Sequence, residues 1–124
     1  MFSVETKTWN KPIRGEARIS VQGDRLLAAG LELDRNPIVQ AKAQASWLKT
    51  LLLDSTSRTF DVFPVVLFPG WFVEPSVGGC AVWVLEPKAL PPFLEREPAR
   101  LSSEQASMAA FHLSRFIRST ERRP

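Results

Sequence analysis

Val62-Phe63-Pro64-Val65-Val66-Leu67-Phe68 is the stretch that most limits the fold. A nearly continuous apolar run of strand length has no solvent side, so it needs cover on both faces, as a strand within a mixed or parallel sheet has. Pro64 has no N–H to donate and belongs at the start of that strand, or where the ladder does not need it. Such a sheet calls for helices, and the chain offers them. Asn36-Pro37 is a helix start: Asn supplies a side-chain acceptor as N-cap, and proline at the first helical position gives up only an N–H that has no partner anyway. From there Ile38, Ala41, Ala45, Leu48 and Leu52 recur at steps of three and four, which predicts a helix to about Leu53. Its alanines let it approach a sheet closely. Ser102 with Gln105 has the form of a capping box and opens a second helix. Its predicted apolar face is Ala106, Ala109, Ala110, Leu113, Phe116 and Ile117, and Ser119 to Pro124 should fray. Cys80 to Leu85 reads as a further strand, and Pro87 to Leu94 as a helical turn or two.

Upstream, Phe2 to Trp9 alternates in the manner of a strand until Asn10-Lys11-Pro12 breaks it. Glu16 to Val21 alternates again, Gly23-Asp24 is a turn signal, and Arg25 to Ala28 returns as the second arm of a hairpin. Its polar face predicts a partly exposed hairpin at the edge of the main sheet. Gly30 to Arg35, Pro69 to Phe72 and Val77 to Gly79 read as connections. The order predicts one α/β (α+β) domain over residues 1–124, a mixed central sheet flanked by helices.

Composition narrows the function classes. A hydrophobic fraction of 44% and a charged fraction of 23% fit a folded soluble domain. No apolar run approaches the roughly 18 to 20 residues that span a bilayer, and the N-terminus has no signal-peptide pattern. Cys80 is the one cysteine and cannot form an internal disulfide, which suits a reducing, cytoplasmic setting. A net charge of +3 permits an anionic partner without demanding one. His112 has no second His or Cys at ligand spacing, so a zinc site is not indicated. Cys80 reads as an inert thiol, and Trp9, Trp47, Trp71 and Trp83 most simply as core or pocket walls, base stacking being the alternative for an exposed one. Arg115, Arg118, Arg122 and Arg123 suit phosphates, or simply the C-terminal dipole of their helix.

The chemistry sits in Phe2 to Trp9. A period of two puts Glu5 and Lys7 on one face as neighbours. A carboxylate there can hold Mg²⁺ or Mn²⁺, and the ammonium can stabilise the charge of an in-line phosphoryl displacement. The two residues alone equally describe charges on the solvent side of a strand. Gln40 and Gln44 lie one turn apart on the first helix, where they read either as surface amides or as the wall of a polar pocket.

The ordered combination is more specific: the Glu-x-Lys strand, the hairpin Arg14 to Gly23, the helix start Asn36-Pro37-Ile38-Val39-Gln40-Ala41-Lys42, and Val65 to Trp71 with its Phe-Pro-Gly-Trp. In these the chain resembles the nuclease-related domain (NERD) family, a branch of the restriction-endonuclease-like (PD-(D/E)xK) superfamily. The resemblance implies a divalent-metal phosphodiesterase site acting on DNA. It makes Glu5 a metal ligand, joined by the backbone carbonyl of Thr6. Lys7 becomes the residue that positions the nucleophile or steadies the phosphorus, and Gln40 an auxiliary polar group. The ion it implies is Mg²⁺ or Mn²⁺. The family has a helix and strands before its Glu-x-Lys, one of which brings an aspartate to the metal; here only Met1 to Val4 precede Glu5. The expectation is a domain lacking that N-terminal part. A missing segment or a second copy in a homodimer would then cover the outer edge of the first strand. Asp24 and Glu16 are the nearest acidic candidates to replace the aspartate. The competing expectations are a non-catalytic nucleic-acid-binding module, or an assembly module, on the same fold.

Overall fold

The computed structural model describes residues 1–8, 18–22, 25–29, 31–32, 36–74 and 81–121. Trp9, the Asn10-Lys11-Pro12 break, Arg14 to Ala17 with Glu16, the Gly23-Asp24 turn, Cys80 and the pair Arg122 and Arg123 lie outside them.

Three parallel strands form the sheet that carries the site: β1 (Phe2–Thr6), β5 (Phe63–Leu67) and β7 (Trp83–Leu85), in the order β1-β5-β7. The apolar run read from the sequence is the central strand. Val65 and Val66 are fully buried on opposite faces of β5, as a strand covered on both sides requires.

The hairpin forms as expected, with β2 (Arg18–Gln22) antiparallel to β3 (Arg25–Ala28), but it does not extend the main sheet. It belongs to a second sheet of order β4-β3-β2-β6, built with β4 (Leu31–Glu32) and β6 (Phe72–Val73). β6 joins β2 in parallel, pairing Ile19 with Val73, and the Glu74 N–H extends the ladder by donating to the Ile19 carbonyl. Two short pieces read as connections, within Gly30 to Arg35 and at Phe72, are therefore strands. Each is only two residues long and is held by distant partners, so local sequence carries little sign of it.

The helix α1 (Pro37–Thr56) lies on β1 and β5. Ile38, Ala41, Ala45 and Leu52 are buried along the predicted stripe, and Leu48 is half-buried. Ile38 and Ala41 meet Ile19, Leu26 and Ala28 of the second sheet and Val66 of β5 in the main core. The opposite face of the three-stranded sheet is closed by a 3-10 turn (Pro87–Ala89) and the helix α2 (Leu90–Arg96). Trp83 is the hub there, stacked on Phe2 at 5.1 Å and edge-on to Phe93 at 5.3 Å.

The last helix, α3 (Ser103–Glu121), opens with the capping box in both directions: the Gln105 N–H donates to Ser102 Oγ and the Ser102 N–H donates to Gln105 Oε1. It packs on α1 through Ala109 and Leu113, in a small core with Leu52, Phe60, Leu48 and Met1. The rest of its predicted apolar face is not covered. Ala106, Ala110, Phe116 and Ile117 are exposed, because α3 packs mainly along α1, with Phe60 and Met1 beside it.

Candidate functional site

The site forms where the C-terminal end of β1 meets the first turn of α1. Asn36 fixes that turn: its Oδ1 accepts the Ile38 N–H at 2.9 Å, and Pro37, buried, occupies the first helical position. With Ile38 and Ala41 docked against the core, Gln40 emerges beside β1. The ladder between β1 and β5 runs one residue past the strand, for the Lys7 N–H donates to the Leu67 carbonyl at 2.9 Å. Glu5 pairs in register with Val66, whose side chain lies in the core beneath α1, so Glu5 and Lys7 both project toward the helix.

Three side chains meet there. Lys7 Nζ lies 2.9 Å from Glu5 Oε1 and donates to Gln40 Oε1 at 2.9 Å. Both charged side chains are largely withdrawn from water, at 23% exposure for Lys7 and 18% for Glu5. The ammonium is thus held between two acceptors on different elements, while the second carboxylate oxygen, Glu5 Oε2, is buried and has no hydrogen-bond partner among the described residues. A buried carboxylate oxygen with nothing to accept is costly unless something electropositive or hydrogen-donating reaches it.

Thr6 adds a further oxygen. A trans peptide points its N–H and C=O in opposite directions, and the Lys7 N–H is committed to β5. The Thr6 carbonyl therefore points to the outer edge of β1. The same alternation turns the backbone groups of Phe2 and Val4 outward, and β5 is the one strand paired with β1 among the described residues. Val4 is accordingly 48% exposed. Gln44, expected beside Gln40, is exposed and does not join the cluster. Asp24 and Glu16 lie outside the described residues.

In parallel α/β sheets the carboxyl ends of the strands are the usual place for a ligand, and Glu5 and Lys7 stand at that end of β1. A cleft of about 1150 Å³ opens elsewhere, lined by Phe2, Phe63, Trp83 and Phe93 among others, and includes neither Glu5, Lys7 nor Gln40. The site is therefore identified by its chemistry, not by concavity.

A family model for the nuclease-related domain matches residues 1–69. The chain belongs to the nuclease-related domain (NERD) family. The match runs from β1 through β5, so it contains Glu5, Thr6, Lys7 and Gln40, while β6, β7, α2 and α3 follow it. No curated protein and no solved structure matches this nuclease-related domain significantly. None of its helices, among the described residues, is long and apolar enough to cross a membrane.

Proposed function

We propose that this nuclease-related domain is built around a divalent-metal phosphodiesterase site for DNA processing, with Glu5 and the Thr6 carbonyl as the protein's oxygen ligands for Mg²⁺ or Mn²⁺. The observation that carries the reading is the buried, unpartnered Glu5 oxygen beside Lys7. A hard divalent cation is the partner such an oxygen lacks, and Mg²⁺ commonly takes one or two carboxylates and fills its remaining positions with waters and substrate oxygens. When bound, the ion supplies Lewis-acid stabilisation of a phosphate oxygen.

The chain's own residues do the rest. Hydrolysis joins a water oxygen to phosphorus, breaks one phosphorus–ester bond and delivers the water's proton to the departing sugar oxygen. Lys7 presents its ammonium to the phosphate oxygens, where negative charge grows in the transition state. Glu5 and Gln40 hold that ammonium in place, so little reorganisation is needed as the charge develops. Gln40 is a positioning residue in this scheme, acting through Lys7.

A second reading has its own observation. Among the described residues no three His, Cys, Asp or Glu side chains come together as a metal cage. A domain with one carboxylate at the site suits DNA binding without cleavage, and the outward backbone groups of Phe2, Val4 and Thr6 suit pairing with another strand, from a further segment or a second copy. A reducing, cytoplasmic setting suits either reading.

Mn²⁺ titration followed by electron paramagnetic resonance, with DNA present, separates them. The phosphodiesterase reading expects a saturable site in the wild type, weakened at least tenfold in Glu5→Gln and unchanged in Asp54→Asn, a change at an exposed helix position. Equal Mn²⁺ affinity in wild type and Glu5→Gln removes Glu5 as the ligand.

A further inference from the structure

α1 and α3 run antiparallel. Ala109 packs with Leu52 in the small core, and seven residues later Phe116 meets Trp47, five residues back along α1, with ring centroids 5.5 Å apart and the rings inclined at 66°. The C-terminal turns of α3 are thereby directed toward the end of α1 that holds Gln40. Trp47 is 55% and Phe116 39% exposed, so two aromatic rings present themselves to solvent in contact with each other. Gln40, Gln44 and Trp47 succeed one another at steps of four and three, on one stripe of α1. At 1.5 Å per residue Trp47 stands roughly 10 Å along the axis from Gln40, about three stacked nucleotide steps. The C-terminal turns of α3 also carry Arg115 and Arg118, both exposed, with the Arg115 guanidinium over the Phe111 ring at 5.9 Å, and the helix ends at Glu121.

We propose that Trp47 and Phe116 form a stacking platform for a single-stranded segment of nucleic acid leading to Glu5, Lys7 and Gln40. The proposal rests on the phosphodiesterase reading of that site and names the form of substrate it takes. Aromatic side chains hold bases by their π-faces, which an intact duplex covers and a single strand or frayed end offers. A lipid surface is the alternative for exposed aromatics, but it needs one apolar stripe. Phe111 and Phe116 are five residues apart and so roughly 140° apart around α3, with Ile117 about 100° further on. Those side chains ring the helix rather than line one side. The tryptophan, moreover, belongs to the neighbouring helix.

The test is binding of the full chain to fluorescent oligothymidylate and to a duplex of equal length, in EDTA so that nothing is cut. The proposal expects the single strand to bind more tightly, with Trp47→Ala and Phe116→Ala each weakening it about five- to fifty-fold and Trp47→Phe keeping most of the affinity. Circular dichroism confirms that each variant is folded. Wild-type affinity in both aromatic variants, preference for the duplex, or no oligonucleotide binding overturns the proposal. So does binding to phosphatidylserine vesicles that those variants abolish while oligonucleotide binding stands. A chain that binds through Trp47 but never cuts keeps the platform and loses the catalytic reading. A chain that cuts, with Trp47→Ala binding like wild type, does the reverse.

Discussion

Lys7 has two acceptors within 2.9 Å and Glu5 has one oxygen with none, an imbalance that defines the site. If the ammonium needs both partners to stay aligned, removing the neutral one should be felt in rate more than in stability. Gln40→Ala takes away a hydrogen bond to a charged group, an interaction of about 1.5 to 3 kcal/mol. The expected result is a cleavage rate about tenfold lower at saturating DNA with KM little changed. Gln40→Glu, which keeps an acceptor oxygen, should recover most of it. Equal kcat in wild type and Gln40→Ala would show that the amide is only a neighbour. The pairing of Glu5 with Lys7 was legible in the sequence, because a strand's period of two sets it. Gln40 was named by the family resemblance, and that it meets Lys7 while Gln44 does not depends on where Pro37 and Ile38 seat the helix, which no local pattern encodes.

At the scale of elements, α1 does most to place the site, and both of its ends are made by side chains or backbone that can be tested. Its start was readable from Asn36-Pro37, and its buried stripe from Ile38, Ala41, Ala45 and Leu52. Its end was not. It runs to Thr56, three residues beyond the predicted Leu53, and closes at Ser57, which adopts a left-handed φ of 58° while its N–H donates to the Leu53 carbonyl. A side chain makes that conformation costly, and glycine is the residue that commonly occupies it. Ser57→Gly should therefore stabilise the fold by about 1 kcal/mol, read as a higher urea midpoint at unchanged m-value. An unchanged or lower midpoint would mean that Ser57 makes compensating contacts. β6 shows the limit of reading elements locally. Phe72 and Val73 follow Pro69-Gly70 and look like the tail of a turn, yet they are a strand because β2, some fifty residues earlier, offers them an edge.

Across the whole molecule, two sheets share the core formed with α1, and the candidate site sits at one end of it, outside the aromatic cluster around Trp83. The α/β class followed from the apolar run of β5 and the helix start at Asn36. The division into two sheets did not, since it depends on pairings between distant segments. The family match over residues 1–69 covers the site, while the platform formed by Trp47 and Phe116 joins a matched helix to one beyond the match. We propose that Glu5 and Lys7 together make this nuclease-related domain a DNA phosphodiesterase. Nicking and linearisation of supercoiled DNA by the purified chain, with Mg²⁺ or Mn²⁺ and with EDTA, tests it most directly beside Glu5→Ala and Lys7→Ala. The expected result is metal-dependent cleavage that falls at least a hundredfold in either variant while both stay folded. A folded wild type that binds DNA but leaves it intact with either metal, or variants that cut as fast as wild type, would contradict it.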